Sequence, residues 1–540
     1  MLGLSSADQR VSPPVIEIPR AYNAAHDLIE RNLRAGRGAK LAYIDDQGRY
    51  TYEELAQRVN RCANTLVGLG VQPEQRVLLC LQDTIDFPTA FLGAIKAGLV
   101  PVAVNTLLKS ADYQYMLRDS RACVLIVSAP LLPLFAPLLG EMPGLKHVIV
   151  SGGEAGAFDS LQTLLPRASD SFEAAATSCD DPCFWLYSSG STGAPKGTIH
   201  VHSSLIQTAE LYARPILGIR EDDVVFSAPK LFFAYGLGNA LTFPLAVGAT
   251  AVLMAERPTP EAVFTRLRRH QATIFGGVPT LYASMLSGAL PSRDEFRLRS
   301  CISAGEALPR NIGERWFRHF GVDILDGIGS TEMLHIFLSN RPGSVSYGTT
   351  GSAVPGYTLR LVDDDGRPVA DGEIGELHIA GPTCALGYWN SREKTRQTFQ
   401  GQWVRSGDQY LVDENGHYVY AGRRDDMLKV SGMYVSPIEV EAALITHPAV
   451  LEAAVIGEED SAGLTKPLAC VVLRPAAQPT AALADELKQH VKALLTLHKY
   501  PRRIEFLAEL PKTATGKIQR FQLRARYARN ADTDPTKCAQ

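Results

Sequence analysis

The feature that most restricts the fold is an alternation of two textures. Short apolar runs alternate with longer segments in which apolar residues recur at helical spacing. Arg76-Val-Leu-Leu-Cys-Leu81 precedes a helical pattern over residues 87–97, followed by expected strands at 102–104, opened by Pro101, and at 124–127. Farther on, Thr250-Ala-Val-Leu-Met254 leads into a helical stretch at 260–269 and a strand at 273–275. Strand–helix–strand alternation of this kind predicts parallel sheets covered by helices. From about Gly351 the texture changes. Asp365-Gly366, Asp371-Gly372 and Asn415-Gly416 separate short strands at 359–362, 376–379 and 417–421, the pattern of an antiparallel β section. Beyond it, Gly422-Arg-Arg-Asp-Asp-Met-Leu-Lys-Val-Ser-Gly432 opens a compact α+β segment with a basic tail. The expected class is α/β. A large N-terminal body of mainly parallel αβ sheets plus a small β section (residues 1–424) precedes a smaller mobile α+β C-terminal domain (residues 425–540).

Composition removes several function classes. The 540 residues are 46% hydrophobic and 21% charged, ordinary globular usage that excludes disordered, collagenous and coiled-coil chains. A net charge of −3 gives no bulk attraction to nucleic acid or anionic membrane. Nine cysteines are sparse, and the nearest pair, Cys179 and Cys183, lacks zinc-knuckle spacing, so a reduced cytoplasmic compartment is expected. Residues 1–20 are polar and lack the apolar core of a signal peptide. Residues 122–140 are uncharged and long enough to span a bilayer, but Pro130, Pro133 and Pro137 interrupt them. A buried strand followed by a proline-broken helix is the expectation there.

The most informative stretch is Tyr187-Ser-Ser-Gly-Ser-Thr-Gly-Ala-Pro-Lys-Gly197. It follows an expected strand, Cys183-Phe-Trp-Leu-Tyr187, so it leaves a sheet end, where α/β proteins bind ligands. Glycines let backbone N–H groups turn inward as an anion nest. Ser188, Ser189, Ser191 and Thr192 add hydroxyl donors and Lys196 a cation, which together suit phosphate. A flexible surface turn has similar composition, although the Pro-Lys-Gly ending speaks against it. The order is not that of a P-loop. In the dinucleotide fingerprint the third glycine would stand at Glu332 or Leu241, and neither is glycine. Neither H-E-x-x-H nor G-x-S-x-G occurs.

Ser188-Ser-Gly-Ser-Thr-Gly-Ala-Pro-Lys-Gly197 resembles the phosphate loop of the adenylate-forming superfamily: acyl-CoA synthetases, peptide synthetase adenylation domains and luciferases. The family's other motifs follow in order: Ser303-Ala-Gly-Glu-Ala307, Gly329-Ser-Thr-Glu332, Ser406-Gly-Asp408, Gly422-Arg-Arg-Asp-Asp426 and Pro511-Lys-Thr-Ala-Thr-Gly-Lys517. Lys230-Leu-Phe-Phe-Ala-Tyr-Gly-Leu-Gly-Asn239 and Ser330-Thr-Glu-Met-Leu-His-Ile-Phe-Leu-Ser-Asn340 look like the benzoate–CoA ligase branch, as do Tyr22-Asn-Ala-Ala25 and Tyr50-Thr-Tyr-Glu-Glu-Leu55. The resemblance spans roughly residues 20–527.

The resemblance implies an ATP-dependent reaction in two halves. A carboxylate attacks the α-phosphate and expels pyrophosphate, and the thiol of coenzyme A then displaces AMP. The phosphate loop (Ser188, Ser189, Gly190, Ser191, Thr192, Gly193, Lys196) and Thr331 would hold the phosphates, with Glu332 on Mg²⁺. Gly305, Glu306, Ala307, Asp326 and Ile328 would line the adenine, while Asp408 and Arg423 would meet the ribose. By themselves a Thr-Glu pair reads as a helix cap and a Gly-Asp pair as a turn. Lys517, otherwise an ordinary surface lysine, would bridge the carboxylate and the α-phosphate, and Thr331 would assist it as a catalytic group. Asp425 would be the hinge of a domain rotation. That rotation would bring Lys429, Ser431 and Gly432 to the CoA thiol; Lys429 reads equally as a catalytic or a strand-edge lysine. His202 reads either as a structural histidine or as a lining of the acyl channel.

Two departures from the wider family stand out. Ile328 occupies the position where many relatives stack an aromatic ring on adenine, and Phe232-Phe-Ala-Tyr235 replaces a histidine found in many acyl-CoA synthetases. An aryl slot is expected from Ala234, Tyr235, Ala304, Gly305, Gly327, Gly329, His335 and Ile336, though Phe232, Phe233 and Tyr235 also read as plain core. His335 would face either a polar ring substituent or the carboxylate. The implied activity is benzoate–CoA ligation in aromatic degradation. The alternatives are 2-aminobenzoate or 4-hydroxybenzoate as substrate, an aryl-adenylating enzyme loading a carrier protein, or a non-catalytic nucleotide-binding relative. Retention of Lys196, Glu332 and Lys517 argues against the last. A homodimer is expected, with no nucleic-acid or membrane partner.

Overall fold

The computed structural model describes residues 2–188, 194–430, 433–459, 464–512 and 518–531, with the backbone alone at Lys429, Met433, Tyr434 and residues 528–531. Packing divides the chain into two compact units, Met1–Leu359 with Ile379–Arg405, and Arg360–His378 with Ser406–Gln540. The antiparallel β section thus groups with the C-terminal segment.

The first unit is built on two large sheets. In one, strands Val100–Ala103, Arg76–Cys80, Val124–Ser128 and His147–Ser151 run parallel in the middle of an eight-stranded array. In the other, Thr250–Val252, Val224–Ser227, Ile274–Gly277, Ser300–Ser303 and Ile324–Gly329 form the parallel centre of a nine-stranded array. Unbroken apolar runs such as residues 77–80 and 124–127 are buried along their length, as strands covered on both faces must be. Helix Asp86–Lys96, buried at every residue, and helix Tyr52–Gly68 pack together; Thr51 and Glu54 close a capping box at the start of the latter. Pro101 lies inside its strand rather than opening it, because pairing begins at Val100 opposite Arg76. Residues 122–140 contain the expected strand, Val124–Ser128, followed by short helical pieces that begin at or beside the three prolines. Among the described residues no helix is long and apolar enough to cross a membrane.

The second unit holds most of the β section, residues 360–362, 375–378, 406–412 and 418–423 of strands Thr358–Val362, Gly375–Ala380, Trp403–Val412 and Tyr418–Arg423. A hairpin, Leu428–Val430 with Met433–Val435, follows, then a sheet of Val450–Glu459, Thr465–Leu473 and Arg503–Phe506. That sheet buries both faces, as its period-two pattern requires. Val455 and Val471 pack with Leu444, Leu487 and Val491 on one side. Ile456 and Cys470 pack with Leu523 and Tyr527 of helix Arg520–Ala531 on the other.

Candidate active site

Strand Pro182–Ser188 pairs antiparallel with Lys196–Val201, and Ser188 stands opposite Lys196. The two ends of the expected phosphate loop are therefore neighbours at a sheet end. Ser189, Gly190, Ser191, Thr192 and Gly193 lie outside the described residues. An edge strand, Gly387–Tyr388, adds to Lys196–Val201 with Tyr388 opposite Thr198. At Gly387 the backbone has φ +142°, and a Cβ would stand 2.7 Å from Thr395 Cγ2, so the strand approaches helix Arg392–Thr398 only through glycine.

Tyr388 joins two residues that the sequence reading assigns to the nucleotide. Its hydroxyl donates to Glu332 Oε1 at 2.6 Å, and Lys196 Nζ lies 4.3 Å from the centre of its ring. Ser188 Oγ reaches the same Glu332 oxygen at 3.4 Å. Among the described residues nothing donates to Glu332 Oε2, and no group of three or more His, Cys, Asp or Glu could hold a metal ion unaided. A single carboxylate oxygen with spare capacity fits Mg²⁺ shared with substrate phosphates and water better than a metal caged by protein.

Thr331 and Glu332 lie in the turn between antiparallel strands Ile324–Gly329 and Ile336–Ser339. Three bonds from other segments fasten this turn. His200 Nε2 donates to Thr331 O at 2.7 Å, Ala385 N donates to Glu332 O at 2.9 Å, and Tyr388 holds the Glu332 carboxylate. Burial pushes the His200 imidazole down to about 4, so it is a neutral donor at physiological pH, and its ring lies 5.2 Å from that of Phe184. Inside the turn Leu334 adopts φ 66°. A Cβ on Gly329 would stand 2.5 Å from His335 O, so no side chain fits at the start of the turn. Sequence reasoning passed over both Tyr388 and His200. Each is a common residue type in a strand, and its partner in that turn lies far along the chain, 56 residues from Tyr388 and 131 from His200.

The expected adenine and aryl positions meet at the same end of the nine-stranded sheet. Ser303 and Asp326 are paired neighbours on adjacent parallel strands, with Ala304–Ala307 and Gly327–Gly329 continuing from them. Gly305 takes φ +94° where its strand ends. Burial pushes the Asp326 carboxyl well up; Oδ2 accepts Leu308 N at 3.4 Å, and Oδ1 has no partner among the described residues. That leaves a buried acceptor suited to an amino N–H. Ala234 and Tyr235 begin a short helix, and the Tyr235 hydroxyl donates to Gly277 O at 3.2 Å. His335 donates from Nε2 to Tyr235 O at 3.3 Å and sits among Tyr212, Tyr235 and Phe243. Burial holds its imidazole down to about 3, so it offers no cation to a carboxylate. Gly327 leaves room for Ile336, whose Cγ2 would stand 2.9 Å from an added Cβ. His202 accepts the Ala24 N–H at Nδ1, 3.1 Å away, at the N-terminus of helix Ala24–Arg34, which is the structural alternative of its two readings.

The remaining expected residues belong to the second unit. Asp408 and Arg423 are paired across two strands, with Arg423 donating to Asp408 Oδ1 at 3.0 Å and to Ser406 O at 3.1 Å. Tyr420 adds a 3.4 Å bond to the same Asp408 oxygen. Asp425 follows in the single turn Arg424–Asp426. Lys429 lies on a hairpin strand opposite Tyr434. Ser431, Gly432 and Lys517 lie outside the described residues.

Comparison with known proteins agrees with this geometry. The profile of the AMP-binding enzymes matches residues 29–389, and that of the AMP-binding enzyme C-terminal domain matches residues 439–517. The chain is 67% identical over 528 residues to a benzoate–CoA ligase of Thauera aromatica, covering 97% of this chain and 100% of that one. It is 51% identical over 508 residues to a 4-hydroxybenzoate–CoA/benzoate–CoA ligase of Rhodopseudomonas palustris, covering 94% of each. Among solved structures, a benzoate CoA ligase from Burkholderia xenovorans LB400 superposes with a TM-score of 0.87 at 57% identity, covering 93% of this chain and 100% of that one.

Proposed function

The chain belongs to the family of AMP-binding enzymes, and from that premise we propose that it is an AMP-forming benzoate–CoA ligase. In the first half-reaction a benzoate oxygen attacks the α-phosphorus of ATP, the bond to pyrophosphate breaks, and benzoyl-adenylate forms. In the second, the sulfur of CoA attacks the acyl carbon and AMP leaves. What supports this reading is the gathering of Ser188 and Tyr388 on Glu332, with Lys196 over the Tyr388 ring, while the turn that carries Glu332 runs on to His335, an expected aryl-slot residue.

Each residue then has a task. Lys196, Thr331 and residues 188–193 bind phosphate oxygens, and Glu332 offers Oε2 to Mg²⁺ while Tyr388 keeps Oε1 occupied. Bound Mg²⁺ supplies charge neutralisation for the leaving pyrophosphate. Asp326, Ile328 and Gly305–Glu306–Ala307 receive the adenine; Asp408, with Arg423 beside it, takes the ribose hydroxyls. Ala234, Tyr235, Ala304, Gly327, Gly329, His335 and Ile336 enclose the ring. Lys517 offsets repulsion between two anions as they approach. Asp425 is the pivot, and the division at residue 425 is one of motion rather than packing. Lys429, Ser431 and Gly432 serve the thioester half. The enzyme works in the cytoplasm as a homodimer without nucleic-acid or membrane partners, in keeping with its net charge of −3.

The dual name of the Rhodopseudomonas relative favours one second reading, a hydroxyl-bearing ring. Purified protein incubated with ATP, Mg²⁺, CoA and a panel of substituted benzoates and straight-chain acids separates the possibilities. Benzoyl-CoA with stoichiometric AMP, and poor use of hexanoate, is the expected result. Preference for 4-hydroxybenzoate would move the substrate, AMP release without thioester would move the acceptor to a carrier protein, and silence would overturn the reading.

A further inference from the structure

Residues 229–233, between strand Val224–Ser227 and the short helix Ala234–Leu237, form a wedge gripped from two sides. On one side Lys230 Nζ donates to Met254 O and, at 2.7 Å, to Glu256 O, just beyond strand Thr250–Val252. On the other, Leu231 N donates to both carboxylate oxygens of Asp83, each at 3.2 Å. Asp83 comes from the other large sheet, three residues after strand Arg76–Cys80, on a stretch that is itself fixed. There Gln82 N donates to Ser128 Oγ at 3.0 Å and Ile85 N to Asp45 Oδ2 at 2.9 Å. The wedge passes this placement on to the helix. Phe233 N donates to Lys230 O at 3.0 Å, and Leu237 N to Phe233 O at 2.8 Å. A Cβ on Gly236 would stand 2.0 Å from Lys230 O, so the helix lies against the wedge with no room for a side chain between them.

Asp83 is 3% exposed, and among the described residues its one donor is the Leu231 N–H. Burying a carboxylate on a single backbone donor costs stability. What it supplies beyond an apolar contact is direction, since a hydrogen bond fixes where Leu231 N points. We propose that Asp83 is a positioning residue for the aryl substrate: by anchoring Leu231 it sets where Ala234 and Tyr235 stand, and with them the fit of the aromatic ring. This rests on the reading of Ala234 and Tyr235 as walls of the aryl slot. Burial raises the Asp83 carboxyl to about 6, with Lys230 and the Leu231 N–H pulling it the other way. Lys230 is faced in turn by Arg266, Glu256 and Asp46. The anchor is thus a charged acceptor above pH 6 and a neutral, weaker one below it.

The test uses the full chain and reads KM for benzoate and for ATP separately, in benzoate-dependent ATP–pyrophosphate exchange between pH 5.5 and 8. Asp83→Asn keeps the shape and removes the charge. At pH 8 it is expected to raise the benzoate KM by about tenfold, the scale of a small misplacement, with the ATP KM within about twofold. In the unaltered chain the benzoate KM should climb as pH falls through about 6, and in Asp83→Asn it should stay flat. Lys230→Gln leaves Asp83 in place but removes the cation that favours its ionised form, so the climb should move to higher pH. Equal rises in both KM values, a climb that persists in Asp83→Asn, or an unmoved climb in Lys230→Gln would overturn the role. Ala234→Leu run alongside narrows the slot directly and is expected to raise the benzoate KM; if it does not, the reading beneath the proposal fails, whatever the Asp83 variant does.

Discussion

The turn over residues 330–335 and the turn Arg424–Asp426 each carry a residue with a proposed task, and the two are held by opposite means. The first is fastened by uncharged donors (His200, Ala385 N and Tyr388) and by a glycine that no side chain could replace. The second is held by paired charges reaching Glu376, Asp364 and Arg524. Buried hydrogen bonds leave an unsatisfied group when broken, which makes the first turn stiff. Partly exposed ion pairs cost little to open and re-form. On the proposed function, the stiff construction suits a surface that receives phosphate, and the looser one a segment beside a pivot.

Acid should break the comparison most widely. His200 and His202 are held down to about 4 and His335 to about 3, with His26 and His270 shifted the same way, and all lie in the first unit. A lowered imidazole stabilises the fold above the unfolded value near 6.5, and that stability is lost as pH falls from there towards 4. Each of the three most shifted should cost about 2 kcal/mol between pH 7 and 5. Asp83, raised by burial to about 6, runs the other way and offsets about 1 kcal/mol. All 4 tryptophans lie in the first unit, so urea unfolding followed by tryptophan fluorescence at the two pH values reads it directly. A flat profile would mean these histidines are hydrated.

Smaller effects sharpen the contrast. Gly329→Ala forces its Cβ against His335 O and should lower pyrophosphate exchange by about 100-fold, because the turn cannot yield. Tyr388→Phe keeps the ring beneath Lys196 but leaves Glu332 Oε1 with only the longer Ser188 contact. Exchange should fall by about tenfold and the Mg²⁺ needed for half-maximal rate should rise, whereas an unchanged Mg²⁺ profile would remove Tyr388 from the site. Arg424→Gln should change stability least, by about 1 kcal/mol or less in thermal melting, and less still at high salt.

Much of this was legible in the chain itself. Apolar runs such as 76–81 and 124–127 could only be strands covered on both faces, and the loop after Tyr187 has the glycines, hydroxyls and lysine of a phosphate cradle. Strand ends shifted by a residue or two, as at Val100, because pairing with a neighbour and not local propensity sets where a strand begins. Local chemistry and the order of motifs determined the fold class and the family and supplied the candidates for the site, since backbone period and loop composition act over a few residues. Only the tertiary structure decided that Tyr388 meets Glu332, that His200 supports Thr331, that His335 is neutral and that Asp426 belongs to Arg524. Those partners lie tens to hundreds of residues apart, and burial, which sets whether a histidine or an aspartate carries charge, is a property of the folded surroundings and not of the residue.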